Sequence, residues 1–160
     1  MYKHRESLTN IIVHDCIAET AFLDGNDLVM DFPEGVWISD THPENTSGKV
    51  LHTDAACIRF EDALKHDDIL AATFALHILQ DARKNGNRKA RSLYGHEEIL
   101  RHLTASHARL ELLDLYHEGY GFLLRGIIRY PRNKQGEFFL EMMADGVSCL
   151  WNDLSPDWAW

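Results

Sequence analysis

The chain has 160 residues, of which 45% are hydrophobic and 26% are charged. Such a chain can bury the core of one globular domain without disulfides, and this composition excludes a disordered protein. The formal net charge of -9, from 25 acidic and 16 basic residues, repels phosphate backbones and anionic lipid surfaces, so nucleic acid is disfavoured as a partner.

The cysteines and the apolar segments bear on the cellular compartment. Cys16, Cys57 and Cys149 are far apart and include no Cys-x-x-Cys pair, so neither a disulfide framework nor a cysteine zinc site is predicted. The start of the chain has no secretory hydrophobic segment, and the longest apolar run, at 69–79, is much shorter than the roughly 20 residues of a membrane helix. We therefore predict a cytoplasmic protein with no membrane partner, in which the glycosylation motif at 45–47 occurs by chance.

The first part of the chain is typical of a β-meander. Short apolar segments alternate with turn residues over 16–39. The turn at 24–27 contains a glycine and an asparagine, which tolerate a positive φ, and this predicts a tight hairpin between strands at 16–23 and 28–32.

The middle of the chain is harder to assign. Residues 40–53 have no period and are predicted to form a surface loop, after which apolar alternation predicts a strand at 55–61. For 68–83, residue propensity favours a helix, whereas the apolar alternation also fits a strand with one strongly buried face. We choose the strand, because a strand, a polar loop and a helix make a more economical unit than two consecutive helices. The basic stretch at 83–91 is interpreted as that long polar loop, and its basic residues are Arg83, Lys84, Arg88, Lys89 and Arg91.

The second half of the chain combines one helix with longer strands. Acidic residues in the first turn and apolar residues on one side predict a helix at 95–105. After it, the alternation shifts phase at Leu113, which fits a bulged strand or a continuing helix, and we favour the strand. Further strands are predicted at 120–130 and 138–142. The Asp145-Gly146 pair predicts a hairpin that completes a C-terminal antiparallel sheet of about four strands.

Together these elements predict an α+β fold in a single domain, 1–160. Antiparallel β-meanders of about seven to nine strands form a sandwich or a curved sheet, with one main helix near 95–105.

One short motif, at 14–16, has a feature of a nucleophilic site. His14 and Cys16 are two residues apart and would share one face of a strand, as a thiolate and its base require. The sequence indicates neither an orienting group for the base nor an oxyanion site, so we favour Asp15 as a turn cap and Cys16 as a small core residue.

The ten histidines raise the question of a metal. His96 and His102 are six residues apart, so on a helix they point to nearly opposite sides, unlike the i, i+4 pair of a zinc protease. Ligands gathered from different strands are not visible in a sequence. The basic stretch near Tyr94 can hold an anion or RNA, but it lacks the interleaved aromatic residues of a stacking platform, so we favour a solvated loop. We predict no catalytic residue, no cofactor and no metal ligand.

Within roughly the first 60 residues, one short motif and the apolar positions of two predicted strands form a pattern: His14, Asp15, Cys16, Ala18, Leu28, Met30, Phe32, Ile58 and Phe60. In this pattern the chain resembles a group of uncharacterised small bacterial β-rich proteins, some of which are similar to immunity proteins of toxin systems. It implies a cytoplasmic binding protein and assigns no functional residue.

The leading hypothesis is a non-catalytic bacterial protein that binds another macromolecule, for example as an immunity protein does, with another protein as its partner. Missing catalytic motifs, net acidity and aromatic residues near the C-terminus motivate it. The predicted interaction residues are Trp158, Trp160, Trp37, His14 and Asp15. The alternative is a small hydrolase that depends on a metal or on a His/Asp cluster from several strands. A third hypothesis is an oligomerisation module, such as a homodimer, that uses the terminal tryptophans.

Overall fold

In a computed structural model of the protein, residues 2–69, 73–81 and 88–159 are described, and they form fifteen strands and two α-helices. The strands are β1 (His4–Glu6), β2 (Ile11–Ile12), β3 (Cys16–Ala18), β4 (Thr20–Asp24), β5 (Asp27–Phe32), β6 (Trp37–Ile38), β7 (Leu51–Thr53), β8 (Ala56–Glu61), β9 (Ala75–Asp81), β10 (Arg88–Tyr94), β11 (Arg109–Glu118), β12 (Gly121–Tyr130), β13 (Lys134–Met143), β14 (Gly146–Trp151) and β15 (Leu154–Ala159). The helices are α1 (Ala63–Ile69) and α2 (His96–Ser106).

The strands form three antiparallel sheets. The five-stranded sheet has the order β1-β14-β8-β5-β4, the six-stranded sheet β10-β9-β13-β12-β11-β3, and the four-stranded sheet β15-β7-β6-β2. The predicted β-rich α+β class with antiparallel strands and one main helix is confirmed. The predicted number of strands is too low for the described residues, because strands of two or three residues, such as β2 and β6, show no period in a sequence.

One hydrophobic core joins the five-stranded and the six-stranded sheets. Phe60 of β8 and Phe122 of β12 meet edge to face with ring centroids 5.4 Å apart. Ile99 and Leu103 of α2 are buried in the same core. The inner face of the six-stranded sheet is therefore covered along most of its length.

Helix α2 matches the predicted helix at 95–105. It begins after Gly95, whose φ is +78°, and Glu97 and Glu98 lie in its first turn, where carboxylates interact favourably with the helix dipole. It ends at His107, which has a left-handed φ of +50° and donates its backbone N–H to the last turn. These two ends fix where α2 lies on the sheet.

The predicted hairpin at 24–27 is confirmed, since β4 pairs with β5 around Gly25, whose φ is +64°. The single strand predicted at 16–23 is wrong, because the chain changes sheets within it: β3 pairs with β11, whereas β4 joins the five-stranded sheet. Cys16 and Ala18 of β3 are buried, whereas β4 alternates between exposed residues and the partly buried Ala21 and Leu23.

The predicted bulge in β11 is confirmed, because the register with β12 shifts between Leu112 and Asp114. Gly126 lies opposite this bulge. A methyl group at Gly126 would overlap the carbonyl oxygen of Glu111 and crowd the ring of Phe138. Only glycine fits this position without moving the bulge.

The prediction of a strand over 68–83 is right in one part and wrong in another. Residues 68 and 69 belong to α1, whereas 75–81 form β9, in which Leu76 and Ile78 are buried as the alternation predicts. Residues 70–72, 82 and 83 lie outside the described part of the chain.

The basic stretch at 83–91 is not a loop in its described part. Arg88 and the residues after it form β10, the edge strand of the six-stranded sheet. Five exposed residues precede the buried Leu93, so no alternation is visible in the sequence. Residues 83–87 lie outside the described residues.

The hairpin predicted at Asp145-Gly146 is wrong, because β13 and β14 lie in different sheets: β14 pairs with β1 and β8. Asp145 donates its backbone N–H to the carbonyl oxygen of Glu61 at 2.8 Å, and its carboxylate binds Lys65 at 2.9 Å and His66 at 2.7 Å. These contacts direct the chain into the five-stranded sheet. The predicted C-terminal sheet is therefore a six-stranded sheet without β14.

The segment predicted as a surface loop at 40–53 packs against the body and ends in β7. Asn45 is only 5% exposed, and its side-chain amide donates hydrogen bonds to the carbonyl oxygens of Ser39 at 3.0 Å and Lys49 at 2.7 Å. A buried and fully engaged amide cannot accept a glycan, which supports the interpretation of the motif at 45–47 as chance.

Candidate functional site

The structure places His14 and Cys16 in different environments rather than on one strand face. Asp15 has a φ of +61° and donates its backbone N–H to Leu112 at 2.8 Å, while the His14 Nδ1 lies 2.9 Å from the carbonyl oxygen of Leu113. Cys16 is 3% exposed, and burial raises the pKa of its thiol to about 12. Asp15 thus lies in a turn that docks on the β11 bulge, and Cys16 is a protonated core residue at neutral pH.

The predicted interaction residues are only partly brought together. Trp37 lies beside the 14–16 segment, since β2 pairs with β6 and the Trp37 backbone hydrogen-bonds the Cys16 sulfur. Trp37 is half-buried, and its ring meets that of His52 edge to face with centroids 4.3 Å apart. The backbone of Trp158 belongs to β15, but its side chain and all of Trp160 lie outside what the structure describes.

The histidines have local partners instead of a shared ligand. His42 is buried against Glu6, His66 lies 2.7 Å from Asp145, and His4 stacks on Trp151 with centroids 4.0 Å apart. Among the described residues, no three His, Cys, Asp or Glu side chains are close enough to hold one metal ion. The hydrolase alternative therefore gains no support from that part of the chain.

An open groove of about 900 Å³ lies where β11 turns into β12 at one end of the six-stranded sheet. We call it the tyrosine groove. Its lining residues are Thr73, Tyr116, His117, Glu118, Gly121, Phe122, Leu123, Glu141, Met142 and Met143. Its volume is within the range of small-molecule pockets.

The strand register explains which side chains meet in the tyrosine groove. Directly paired residues of an antiparallel sheet lie on the same face, so Tyr116, Leu123 and Glu141 form one row on the outer face. His117, paired with Phe122, belongs to the next row on the inner face. Both faces contribute because the groove wraps around the end of the sheet.

Aromatic contacts fix the walls of the groove. The imidazole of His117 stacks on the ring of Phe122, with centroids 4.4 Å apart and an angle of 8° between the planes. Its Nε2 donates a hydrogen bond to the carbonyl oxygen of Gly119 at 2.6 Å. Beside the groove, the ring of Tyr120 lies 5.5 Å from His66. These contacts fix the side chains at the turn between β11 and β12.

Two tyrosines at this turn are exposed although their rings are large and apolar. Tyr116 is 53% exposed and Tyr120 is 57% exposed. The described lining carries the carboxylates of Glu118 and Glu141 and includes neither lysine nor arginine. The groove therefore offers apolar contact area, phenolic hydrogen bonds and negative charge, which suit binding rather than nucleophilic chemistry.

No residue of this groove is among the predicted interaction residues. The available signal was the pair of tyrosines that flank the His117-Glu118-Gly119 turn at the end of a long alternating segment. Aromatic residues at a hairpin turn are far from the buried part of a sheet, so they indicate exposure.

Comparison with known proteins gives no further assignment: no family model, curated protein or solved structure matches this chain. In the described part of the chain, neither helix is long and apolar enough to span a bilayer.

Proposed function

We propose that this is a non-catalytic bacterial protein of the cytoplasm that binds a partner protein, and that a basic segment of the partner docks in the tyrosine groove. The observation that carries the proposal is the exposure of Tyr116 and Tyr120 beside an open, largely apolar groove with a carboxylate rim.

Tyrosine is well suited to a binding surface. Its ring contributes a large contact area with few rotatable bonds to immobilise, and its hydroxyl can form a hydrogen bond at the rim of an interface. Tyr120 is already held against His66, so little side-chain entropy is lost when a partner covers it. Phe122 and Met142 line the groove and are buried, so they give it a rigid floor.

Charge selects the class of partner. Glu118 and Glu141 lie at the groove, and the whole chain carries a formal charge of -9. Both features attract a basic partner over long range and increase the association rate. A lysine or arginine of the partner can also lie over the exposed ring of Tyr116, where a cation–π interaction contributes about 0.5–1 kcal/mol. A toxin with a basic surface is one such partner, in line with the resemblance to immunity proteins.

A differential capture experiment tests the proposal. The wild-type protein, a Tyr116→Ala/Tyr120→Ala variant and a Tyr94→Ala variant are immobilised, and proteins retained from an extract of the source cell are identified by mass spectrometry. Tyr94 is a matched control, because it is 54% exposed but lies on the opposite edge of the same sheet.

We expect a basic protein that the wild type and Tyr94→Ala retain and the double variant does not. The purified pair is then titrated in solution, where Glu118→Gln/Glu141→Gln should weaken binding mainly at low salt. If all three immobilised proteins retain the same set, the groove is not the binding site and the proposal is wrong.

A further inference from the structure

A second cavity, of about 690 Å³, lies at the other end of the six-stranded sheet, and we call it the basic cleft. The polar side chains that line it and carry the argument are Lys89, Arg91, His102, Tyr130, Arg132 and Lys134. Four of these six are cationic. They gather in a chain in which acidic residues outnumber basic ones by 25 to 16.

Sheet register places these side chains on one face. Lys89 pairs with Gln80 and Arg91 pairs with Ile78, whose side chain is buried in the core. Tyr130 pairs with Lys134 at the end of the β12–β13 hairpin. Because alternate residues of a strand share a face, all of them lie on the face that carries the core elsewhere. The cleft is the uncovered end of that inner face.

The turn between β12 and β13 supplies the remaining cation. Tyr130 pairs with Lys134, and within the three-residue loop between them Arg132 and Asn133 have left-handed φ values of +63° and +56°. This short loop brings Arg132 into the lining of the cleft together with Lys134.

The last turns of α2 form the roof, and a neutral hydrogen-bonded pair lies beneath them. His102 Nε2 is 3.1 Å from the hydroxyl of Tyr130, and the Gln80 amide also hydrogen-bonds that hydroxyl. Burial, together with the charge of Arg91, lowers the pKa of His102, while burial raises the pKa of Tyr130. Both rings are therefore neutral at pH 7 and add polar groups without negative charge.

The cations of the cleft differ from other basic residues on the same strands. Arg88 binds Glu137, Arg129 binds Glu111, and Arg125 lies 3.4 Å from Asp114. Within the part of the chain that the structure describes, Lys89, Arg91, Arg132 and Lys134 form no ion pair. Four converging positive charges repel one another, and an anion between them would remove that repulsion.

We propose that the basic cleft binds the phosphate group of a small phosphorylated compound. Arginine and lysine are the side chains that recognise phosphate, arginine with two parallel hydrogen bonds. The cleft volume exceeds the size of a lone phosphate and matches that of a small-molecule site, so the remainder of the compound fits beside Tyr130 and His102. The net charge of -9 opposes a long polyanion such as RNA, whereas a small ligand meets only the local field. This site is separate from the tyrosine groove and does not depend on the function proposed there.

Calorimetric titration with inorganic pyrophosphate and with adenosine monophosphate, at constant ionic strength, tests the proposal. Arg91→Gln/Lys134→Gln removes two cations from the cleft. Arg101→Gln/Lys49→Gln is the matched control, because both residues are exposed, neither lines the cleft, and the net charge changes equally. Melting temperatures of all proteins establish that they are folded, and Lys89→Gln serves as a second cleft variant if the double variant does not fold.

We expect one saturable site in the wild type, at least about tenfold weaker binding in the cleft variant, and affinity within about twofold of wild type in the control. Three outcomes would overturn the proposal: no saturable binding by the wild type up to 10 mM ligand, equal weakening in both double variants, or tighter binding to a single-stranded RNA oligomer or to anionic phospholipid vesicles than to either small phosphate.

Discussion

The tyrosine groove and the basic cleft lie at opposite ends of the same two strands. Strand β13 starts at Lys134 in the cleft and ends at Met143 in the groove, a rise of about 30 Å. Between them, charges on the outer face of the sheet are matched across strands, as in the pairs formed by Arg129 with Glu111 and Arg125 with Asp114. The linings of the two ends each carry one sign of charge: Glu118 and Glu141 in the groove, and four lysine and arginine residues in the cleft.

The comparison shows how one sheet can offer two chemically different sites. The middle of β12 and β13 is buried on its inner face, so its sequence is constrained by packing. Residues near the hairpin turns extend beyond the core and are free of that constraint. The residues of both proposed sites therefore lie at the ends of the strands, where a rigid sheet still holds them in place.

The largest expected effect comes from a substitution that destabilises the sheet and so affects both proposed sites. Gly126 lies midway along β12, and Gly126→Ala places a methyl group against the Glu111 carbonyl and the ring of Phe138. We expect a loss of about 3 kcal/mol in the free energy of unfolding, because backbone atoms at the bulge cannot yield as a side chain can. Chemical denaturation measures this loss, and both sites should weaken together.

Gly146→Ala is the control for that substitution. A methyl group at Gly146 meets only the end of the flexible Glu61 side chain, at 3.1 Å. We expect a change within about 1 kcal/mol. If the two variants lose equal stability, the crowding at the bulge does not explain the need for Gly126.

The next effect separates the two sites. Tyr116→Ala/Tyr120→Ala should weaken binding of the partner protein about 100-fold, since aromatic anchors contribute about 1–2 kcal/mol each at protein interfaces. The same variant should bind pyrophosphate with unchanged affinity, because neither tyrosine lines the basic cleft. A parallel loss of both activities in a folded double variant would show that the ends of the sheet are not independent.

Local sequence patterns predicted the elements that frame both sites. The alternation at 120–130 gave β12 almost to the residue, the phase shift at Leu113 located the bulge, and 95–105 located α2. Each of these features depends on neighbours along the chain, so it is visible in a window of a few residues.

Long-range pairing could not be predicted in the same way. Nothing near Asp145 indicates that β14 pairs with β8, and nothing near Cys16 indicates that β3 pairs with β11. The cleft shows the consequence most clearly: the basic stretch is visible in the sequence, but Lys134 and His102 come from other segments that only sheet register and helix packing bring to Lys89. A site assembled from three segments has no local signature.

Protonation of His102 should have a smaller effect, on anion binding in the basic cleft and not on the tyrosine groove. The titratable and charged groups around His102 are Lys89, Arg91, Glu98, Tyr130, Arg132 and Lys134. Burial and Arg91 lower the pKa of His102 below its ordinary value of 6.5. A bound anion would raise this pKa, so protonation and anion binding should favour each other.

Sulfate is the probe for this linkage, because it remains a dianion throughout the pH range. We expect sulfate to bind more tightly at pH 5.5 than at pH 7.5, by up to about tenfold for a pKa change of one unit. His102→Gln should abolish the difference. Without an anion, protonation of His102 opposes folding, because its pKa is lower in the folded than in the unfolded chain. The free energy of unfolding therefore falls as the pH falls below 6.5. His102→Gln should reduce this fall.

The smallest effect is expected between the two sites, at the pair formed by Arg125 and Asp114 on the outer face of the sheet. Their side chains are 50% and 37% exposed, and the separation of 3.4 Å is that of a surface ion pair. A double-mutant cycle with Arg125→Gln and Asp114→Asn should give a coupling energy below about 1 kcal/mol, because solvent screens the interaction and ordering the two side chains costs entropy. Neither binding activity should change. If the cycle instead altered affinity at either end, charge matching in the middle of the sheet would act on the sites, and the separation of groove and cleft would have to be revised.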